Sequence, residues 1–371
     1  MQFSRWHMPL HTLQRLPLLL VVLALSLSLV HAQETSNNTT AGITDQDVPS
    51  SAMLEGFSWV HQGVNRCSAA ALTIQLSYYQ PVTIDTYFEL AGSRLNTYGA
   101  DASVRIEEMA DDAISRGLGA VVRRNGTVDL LRRLVAGGFP VLVENVYYDG
   151  SDLYRDWMSH NRVLIGYDDS VQTFYFQDPL LGYPNGQIVE FSYDDLLRRW
   201  RPFNYDYLVI YNPDEEAQLQ AILGEEWDMT VNAQRTLARA QAEIDAGTAN
   251  PQYSWFNLGW AQVQLGLYDD AAASFDTARE IGLPMRMMWY EFGPFEAYLG
   301  AGRYEDVRFL VNQQINAAGN DISVEEWYYY AGRAYEGLGN LERARLNYEV
   351  AIFRNANYDE ARQRLAELNG N

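Results

Sequence analysis

Gln62-Gly63-Val64-Asn65-Arg66-Cys67-Ser68-Ala69-Ala70-Ala71-Leu72 holds the only cysteine of the 371-residue chain. A helical pattern begins at that cysteine. Ala70, Ala71, Ile74 and Ser77 fall on one side, with Leu72, Leu76 and Tyr79 beside them. A glutamine stands five residues upstream. A thiol at the first turn of a helix sits where the helix dipole favours negative charge, and that layout suits a nucleophile. The plainer reading is a core residue, since free cysteine is among the most buried side chains. What the rest of the chain offers the thiol decides between them.

The composition admits a substantial core: 47% of residues are hydrophobic and 13% aromatic, over a length with room for two domains. Formal net charge is −21, and loss of residues 1–32, which contain Arg5 and Arg15 and no acid, would bring it to about −23. Such a chain is not a general polyanion binder, because nucleic-acid affinity rests on Lys and Arg neutralising phosphates. Solubility is the simpler account of the acidity. Residues 1–32 read as a signal peptide for export: Arg5, His7, His11 and Arg15 come first, then an apolar run over 16–30, then Val30-His31-Ala32 as a cleavage site. The run is short for a membrane span, so no stable membrane insertion is expected after cleavage. Residues 33–50 are polar and read as a flexible leader. In an exported protein a single cysteine forms no internal disulfide, which leaves an inert core thiol, an intermolecular link or a reactive group.

Residues 51–213 mix helices and strands. Helices are expected over 67–79, 83–91, 106–116 (with Ser103 as N-cap) and from Thr127 or Asp129 to Val135. Strands are expected over 119–123, 140–144, 161–167, 173–177 and 206–211. Asp168-Asp169-Ser170 lies between two of these runs and reads as a hairpin turn. Helices followed by a mostly antiparallel sheet make an α+β domain.

From about residue 214 the strand signals stop. Residues 214–371 read as an all-α domain built on an internal repeat. Trp255, Leu258, Gly259, Ala271, Phe275 and Ala278 match the tetratricopeptide (TPR) spacing, and Tyr328, Gly332, Tyr335, Ala344, Tyr348 and Ala351 match it again. Gly259 to Gly332, Ala271 to Ala344 and Phe275 to Tyr348 are each 73 residues apart, two repeat periods with a few residues inserted. A middle copy around Trp289, Gly293 and Tyr304 is degenerate, and residues 358–368 read as a capping helix.

A nucleophilic thiol needs a base, a group to orient the base, and donors for an oxyanion. Beyond residue 32 only two histidines remain, His61 and His160. No Cys/His cluster offers a zinc site, and no cofactor is expected. His160 opens one hairpin strand, and Asp178 closes its partner eighteen residues later. Residues so placed lie side by side, so an imidazole–carboxylate contact is available. Each has a plainer reading: a satisfied histidine, and an aspartate that starts a turn before Pro179. Their joint occurrence with the lone thiol and Gln62 favours the chemical one.

The segment 62–79, the run 138–143 (Gly-Phe-Pro-Val-Leu-Val), the stretch 157–182 with Ser159-His160, Gly166-Tyr167-Asp168-Asp169 and Asp178-Pro179, and residues 200–204 together resemble the C39-like, papain-like cysteine peptidases of exported bacterial proteins. The resemblance covers residues 51–213. It implies a papain-like fold and Cys67 as nucleophile, His160 as general base and acid, Asp178 as orienting residue, and Gln62 as oxyanion donor with the Cys67 backbone N–H. It implies a peptide or protein substrate, with the repeats open to a protein partner. The chain departs from the family pattern after the nucleophile, where Ser68-Ala69 stands in place of Gly-Pro. The alternatives are a catalytically inactive C39-like module that binds peptide or protein, and acyl transfer to an acceptor other than water.

Overall fold

The computed structural model describes residues 48–95, 103–149, 157–319 and 324–370. The export signal read at 1–32, and the leader up to residue 47, lie outside the described residues.

The spine of the first region is β4 (Met158–Asp168). It pairs antiparallel with β3 (Val141–Tyr148) on one side and β5 (Thr173–Gln177) on the other. Where β3 gives out, β1 (Ser51–Met53) takes over the same edge, Ser51 opposite Asp168. With β2 (Gly119–Arg123), β6 (Val189–Ser192) and β7 (Tyr207–Tyr211), the sheet runs β2-β7-β3-β4-β5-β6. Every pairing is antiparallel. The hairpin turn read at residues 168–170 joins β4 to β5: Asp168 Oδ1 accepts from the N–H (2.8 Å) and hydroxyl (2.6 Å) of Ser170.

Helices cover both faces. On one, α1 (Cys67–Leu76) and α3 (Ile106–Ser115), with the short α2 (Ile84–Glu89), bury Leu142, Val163, Ile165, Leu208 and Ile210. On the other, α4 (Val128–Ala136), α5 (Tyr193–Trp200) and α6 (Glu216–Leu223) bury Val141, Val143, Leu164 and Val209. Alternate residues of each strand thus serve opposite cores. That explains why the central strands read as unbroken apolar runs rather than alternating ones.

Several local expectations change. The elements are interleaved, not helices followed by strands. Helix α1 stops at Leu76, three residues early, and is buried nearly all round rather than on one side. Arg105, not Ser103, caps α3; its backbone N–H donates to Glu108 Oε1 at 3.3 Å. Thr127 caps α4 as read, accepting from Leu130 N–H at 3.1 Å. β1 and β6 carried too little periodic signal, and α5 was overlooked, although it is strongly amphipathic and has a complete helix grammar: Ser192 as N-cap, Asp194 and Asp195 in its first turn, Arg198 and Arg199 in its last.

The second region contains helices α7 (Met229–Asp245), α8 (Pro251–Gln264), α9 (Tyr268–Ile281), α10 (Gly293–Gly300), α11 (Tyr304–Ala318), α12 (Glu325–Gly337), α13 (Leu341–Arg354) and α14 (Asp359–Leu368). Successive helices pack on one another, an arrangement compatible with a helical repeat. Residues 73 apart occupy equivalent places. A Cβ on Gly259 would lie 2.8 Å from the Phe275 ring, and one on Gly332 would lie 2.5 Å from the Tyr348 ring. The middle pair differs because α10 is only eight residues long and follows a 3-10 turn, Met285–Trp289. Among the described residues no helix is long and apolar enough to cross a membrane.

The two regions share buried surface. Val146, Trp157 and Phe203 belong to the same apolar cluster as Phe256, Trp289 and Trp327. Arg201 donates to Glu243 Oε2 (2.8 Å) and to the Ala249 carbonyl (2.6 Å), and Arg105 reaches Glu360 at 3.2 Å. Gly332→Val forces the Tyr348 ring out of its place between α12 and α13. The expected cost is about 1–3 kcal/mol, read as a lower urea midpoint with an unchanged slope.

Candidate active site

Cys67 is the first residue of α1. Asn65 just before it adopts a left-handed backbone (φ 55°), a conformation asparagine tolerates better than most residues, and this turns the loop into the helix. No side chain caps α1, so its dipole's positive end stands beside the sulfur. The thiol is half-buried. Burial pushes its pKa up, but a hydrogen bond and charge attraction from His160, with the backbone and side-chain amides of Asn161, bring it below the ordinary value. The Asn161 Nδ2 donates to Sγ at 3.8 Å.

Behind the ring, His160 Nε2 meets Asp178 Oδ1 at 2.9 Å. With Nε2 engaged there, Nδ1 is the nitrogen left for the thiol. Burial lowers the imidazole's pKa, but the Asp178 charge and hydrogen bond, and the bond to Cys67, outweigh it and hold the pKa above its usual value. Asp178 is fully buried. Its Oδ1 also accepts from the N–H groups of Leu180 and Leu181, both at 2.8 Å. Arg162 Nε lies 3.5 Å from Oδ2. Burial raises the Asp178 pKa, yet His160, Arg162 and the Leu181 N–H together drive it far below the usual carboxylate range. Arg162 is itself buried and stacked on Phe191 at 4.4 Å, and burial brings its pKa down to about 10.

These groups border a cleft of about 230 Å³. Gln62 lines it beside Cys67 and Ser68. The Gln62 side-chain Oε1 is buried with no hydrogen-bond partner, while its backbone N–H donates to the Pro179 carbonyl at 3.0 Å. Tyr147, Tyr148 and Leu180 add apolar wall, and the second region contributes Tyr290. Cys67, His160 and Gln62 therefore lie at one cleft, with Asp178 directly behind His160.

Asn161, Arg162 and Tyr290 were not found by sequence reasoning. Alternation places neighbours on a strand on opposite faces, so nothing in the sequence puts both His160 and Asn161 against one sulfur. Arg162 reads as an ordinary strand cation, and Tyr290 belongs to the degenerate repeat. His61 stays outside the cleft lining, its Nδ1 3.2 Å from the Pro179 carbonyl and its ring 5.0 Å from Tyr183. Asp169 pairs with Arg132 and accepts from Tyr193 OH (2.7 Å), which fits the turn reading over a metal site. Among the described residues no group of His, Cys, Asp and Glu could hold a metal ion.

Residues 47–208 match the model of the Peptidase_C39 like family. The match spans Gln62, Cys67, His160 and Asp178, and the antiparallel sheet with its helices is consistent with a C39-like domain. Such a domain implies a peptide or protein substrate. A solved structure from Bacillus anthracis, described as a C39-like peptidase, shares 15% identity over 44% of this chain and 98% of its own, with a TM-score of 0.35, too low a likeness to argue from. No curated protein matches.

The opposed shifts of Cys67 and His160 define an expected pH profile. Alkylation by iodoacetamide should rise with pH through the lowered thiol pKa. It should already be fast below the value of about 8.5 for a free cysteine, then stay flat, since the thiolate persists after the imidazolium loses its proton. In His160→Ala the rise should move upward in pH and the rate near neutrality should fall; Asp178→Asn should lie between. Mass spectrometry of labelled Cys67 against pH reads all three.

Proposed function

We propose that this chain is a cysteine peptidase that hydrolyses peptide bonds through Cys67, His160 and Asp178. The observation that carries the reading is the continuous chain of contacts from a thiol at a helix start, through an imidazole, to a buried carboxylate, opening onto a cleft. The Cys67 thiolate attacks the scissile carbonyl carbon and forms the carbon–sulfur bond, and the carbonyl electrons move onto oxygen. Gln62 and the Cys67 backbone N–H stabilise that oxyanion. His160 imidazolium gives its proton to the amine as the carbon–nitrogen bond breaks and a thioester remains. His160 then takes a proton from water, whose oxygen attacks the thioester and releases the acid and the thiolate. Asp178 keeps the ring oriented and favours its charged form.

Ser68 gives a second reading its footing. Its side chain lines the cleft next to the nucleophile, where the family pattern has glycine. On that reading the domain holds a peptide or protein without cleaving it. Both readings take α8–α14 as tetratricopeptide repeats that present a surface to a protein or peptide, and residues 1–32 as an export signal, so that the protein works outside the cytoplasm or in the cell envelope.

Turnover of casein and of a mixed peptide library separates the two. Under the peptidase reading, wild type cleaves and is irreversibly labelled at Cys67 by a peptidyl epoxide, while Cys67→Ala does neither. His160→Ala should lose about 10³-fold or more in kcat/KM, and Gln62→Ala about 10²–10³-fold in kcat. Tight peptide binding without turnover, and a Cys67 no more reactive than free cysteine, would establish the binding module instead.

A further inference from the structure

The cleft at Cys67 shares part of its wall with a second cavity. Glu144 and Tyr290 line both that cleft and an adjoining cavity of about 200 Å³. This is the scale of one side chain; a drug-sized ligand takes about 300–1,000 Å³. The first region supplies Glu107, Arg124 and Asp206 to it, and the second supplies Trp260, Glu291 and Tyr330.

The charges facing the cavity do not balance. Five acids border it: Glu107, Glu144, Asp206, Glu291 and Glu296. Its two arginines are already engaged. Arg105 pairs with Glu108 at 3.2 Å and Glu326 at 3.6 Å, outside the cavity lining, and with Glu360 as described. Arg124 stacks on Trp260 at 4.5 Å and lies 3.8 Å from Glu107. Glu296 accepts from Tyr330 OH at 2.7 Å, and Glu291 accepts from Trp260 Nε1 at 2.6 Å. Asp206 is different. It is 3% exposed, it lines the cavity, and its Oδ1 meets no hydrogen-bond donor. An unsatisfied buried acceptor costs about 1–3 kcal/mol, and its neighbours add to the burden. Burial first, then Glu291 and Glu144, hold Asp206 far above the usual carboxylate range. Burial likewise pushes Glu291 up to about 7.

What would relieve this arrangement is a cation that brings donors. A metal ion is a poor fit, because among the described residues no acids cluster closely enough to coordinate one. An organic cation on an alkyl or planar stem suits separated carboxylates between aromatic walls. Since the cavity shares Glu144 and Tyr290 with the cleft that Cys67 lines, we infer that it is a specificity pocket for a Lys or Arg side chain of a peptide lying in the Cys67 cleft. Asp206 and Glu291 receive the cationic head, and Tyr290 and Trp260 flank the stem. The inference rests on the cleft being a peptide-binding site, and it makes the helical region a contributor to substrate choice.

Binding to full-length Cys67→Ala tests it independently of turnover. The probes are fluorescein-labelled, acetylated hexa-alanine peptides with one Lys, Arg, norleucine or Glu walked through each position, followed by fluorescence anisotropy. At one position Lys or Arg should bind about ten-fold or more tighter than norleucine, and Glu more weakly still. Adding Asp206→Asn or Glu291→Gln, near-isosteric changes whose folding is checked by thermal melting, should bring the Lys/norleucine ratio toward one. Equal affinity of Lys and norleucine peptides at every position, no binding of any peptide, or a ratio indifferent to both substitutions overturns the pocket. Lys preference in Cys67→Ala with no Cys67-dependent turnover by wild type would leave the pocket standing and sink the peptidase reading; turnover without basic preference would do the reverse.

Discussion

The buried carboxylate of Asp178 is the point on which the site depends. A charge with no solvent access is tolerated only where several donors converge on it. Here they come from a side chain of β4 and from two consecutive N–H groups of the following turn, with the charge of a second β4 residue, Arg162, 3.5 Å away. The same turn holds the other half of the site. The Asp178 carbonyl accepts from the Trp59 indole at 2.8 Å, and the Pro179 carbonyl accepts from the Gln62 N–H. Residue 182 must be glycine for this to close, since a Cβ there would stand 2.6 Å from the Asp178 carbonyl and 2.8 Å from the Trp59 indole nitrogen. The loop that delivers Gln62 and Cys67 is thus tied to the turn that satisfies Asp178.

Much of this was legible because it is written in strong local signals. A sole cysteine at a helix start, a hairpin turn rich in aspartate, and an aspartate eighteen residues beyond a histidine all follow from spacing and turn chemistry. The glycine–aromatic spacing was legible for a similar reason: Gly259 and Gly332 must be small because aromatic rings fill the space where a side chain would go. What escaped was set by tertiary packing. Three-residue β1 is too short to display a period. Asn161 and Arg162 gained their roles from which helix landed on β4, not from their neighbours in the sequence.

The acidity of the chain also takes on a different meaning. Read from composition it suggests only a well-solvated surface. Yet Glu144, Asp206, Glu291, Glu325 and Glu326 are all buried. Of these, Glu144, Asp206 and Glu326 are held well above the usual carboxylate range, chiefly by burial. Part of the acidity is internal, gathered where the sheet region meets the helices.

Tyr290 stands in the short connection between α9 and α10, wedged near Trp157 (ring centroids 5.8 Å apart) and bordering the sulfur's cleft. That connection carries the 3-10 turn Met285–Trp289 that precedes the short α10. Repeat arrays commonly change length by gaining or losing units, but this joint is not free to drift, because a wall of the Cys67 cleft runs through it. Helix pairs could be added beyond α14 without disturbing the cleft, whereas a change between α9 and α10 would alter the cleft itself. That connection is where the helical region stops being a separate appendage and becomes part of the neighbouring fold.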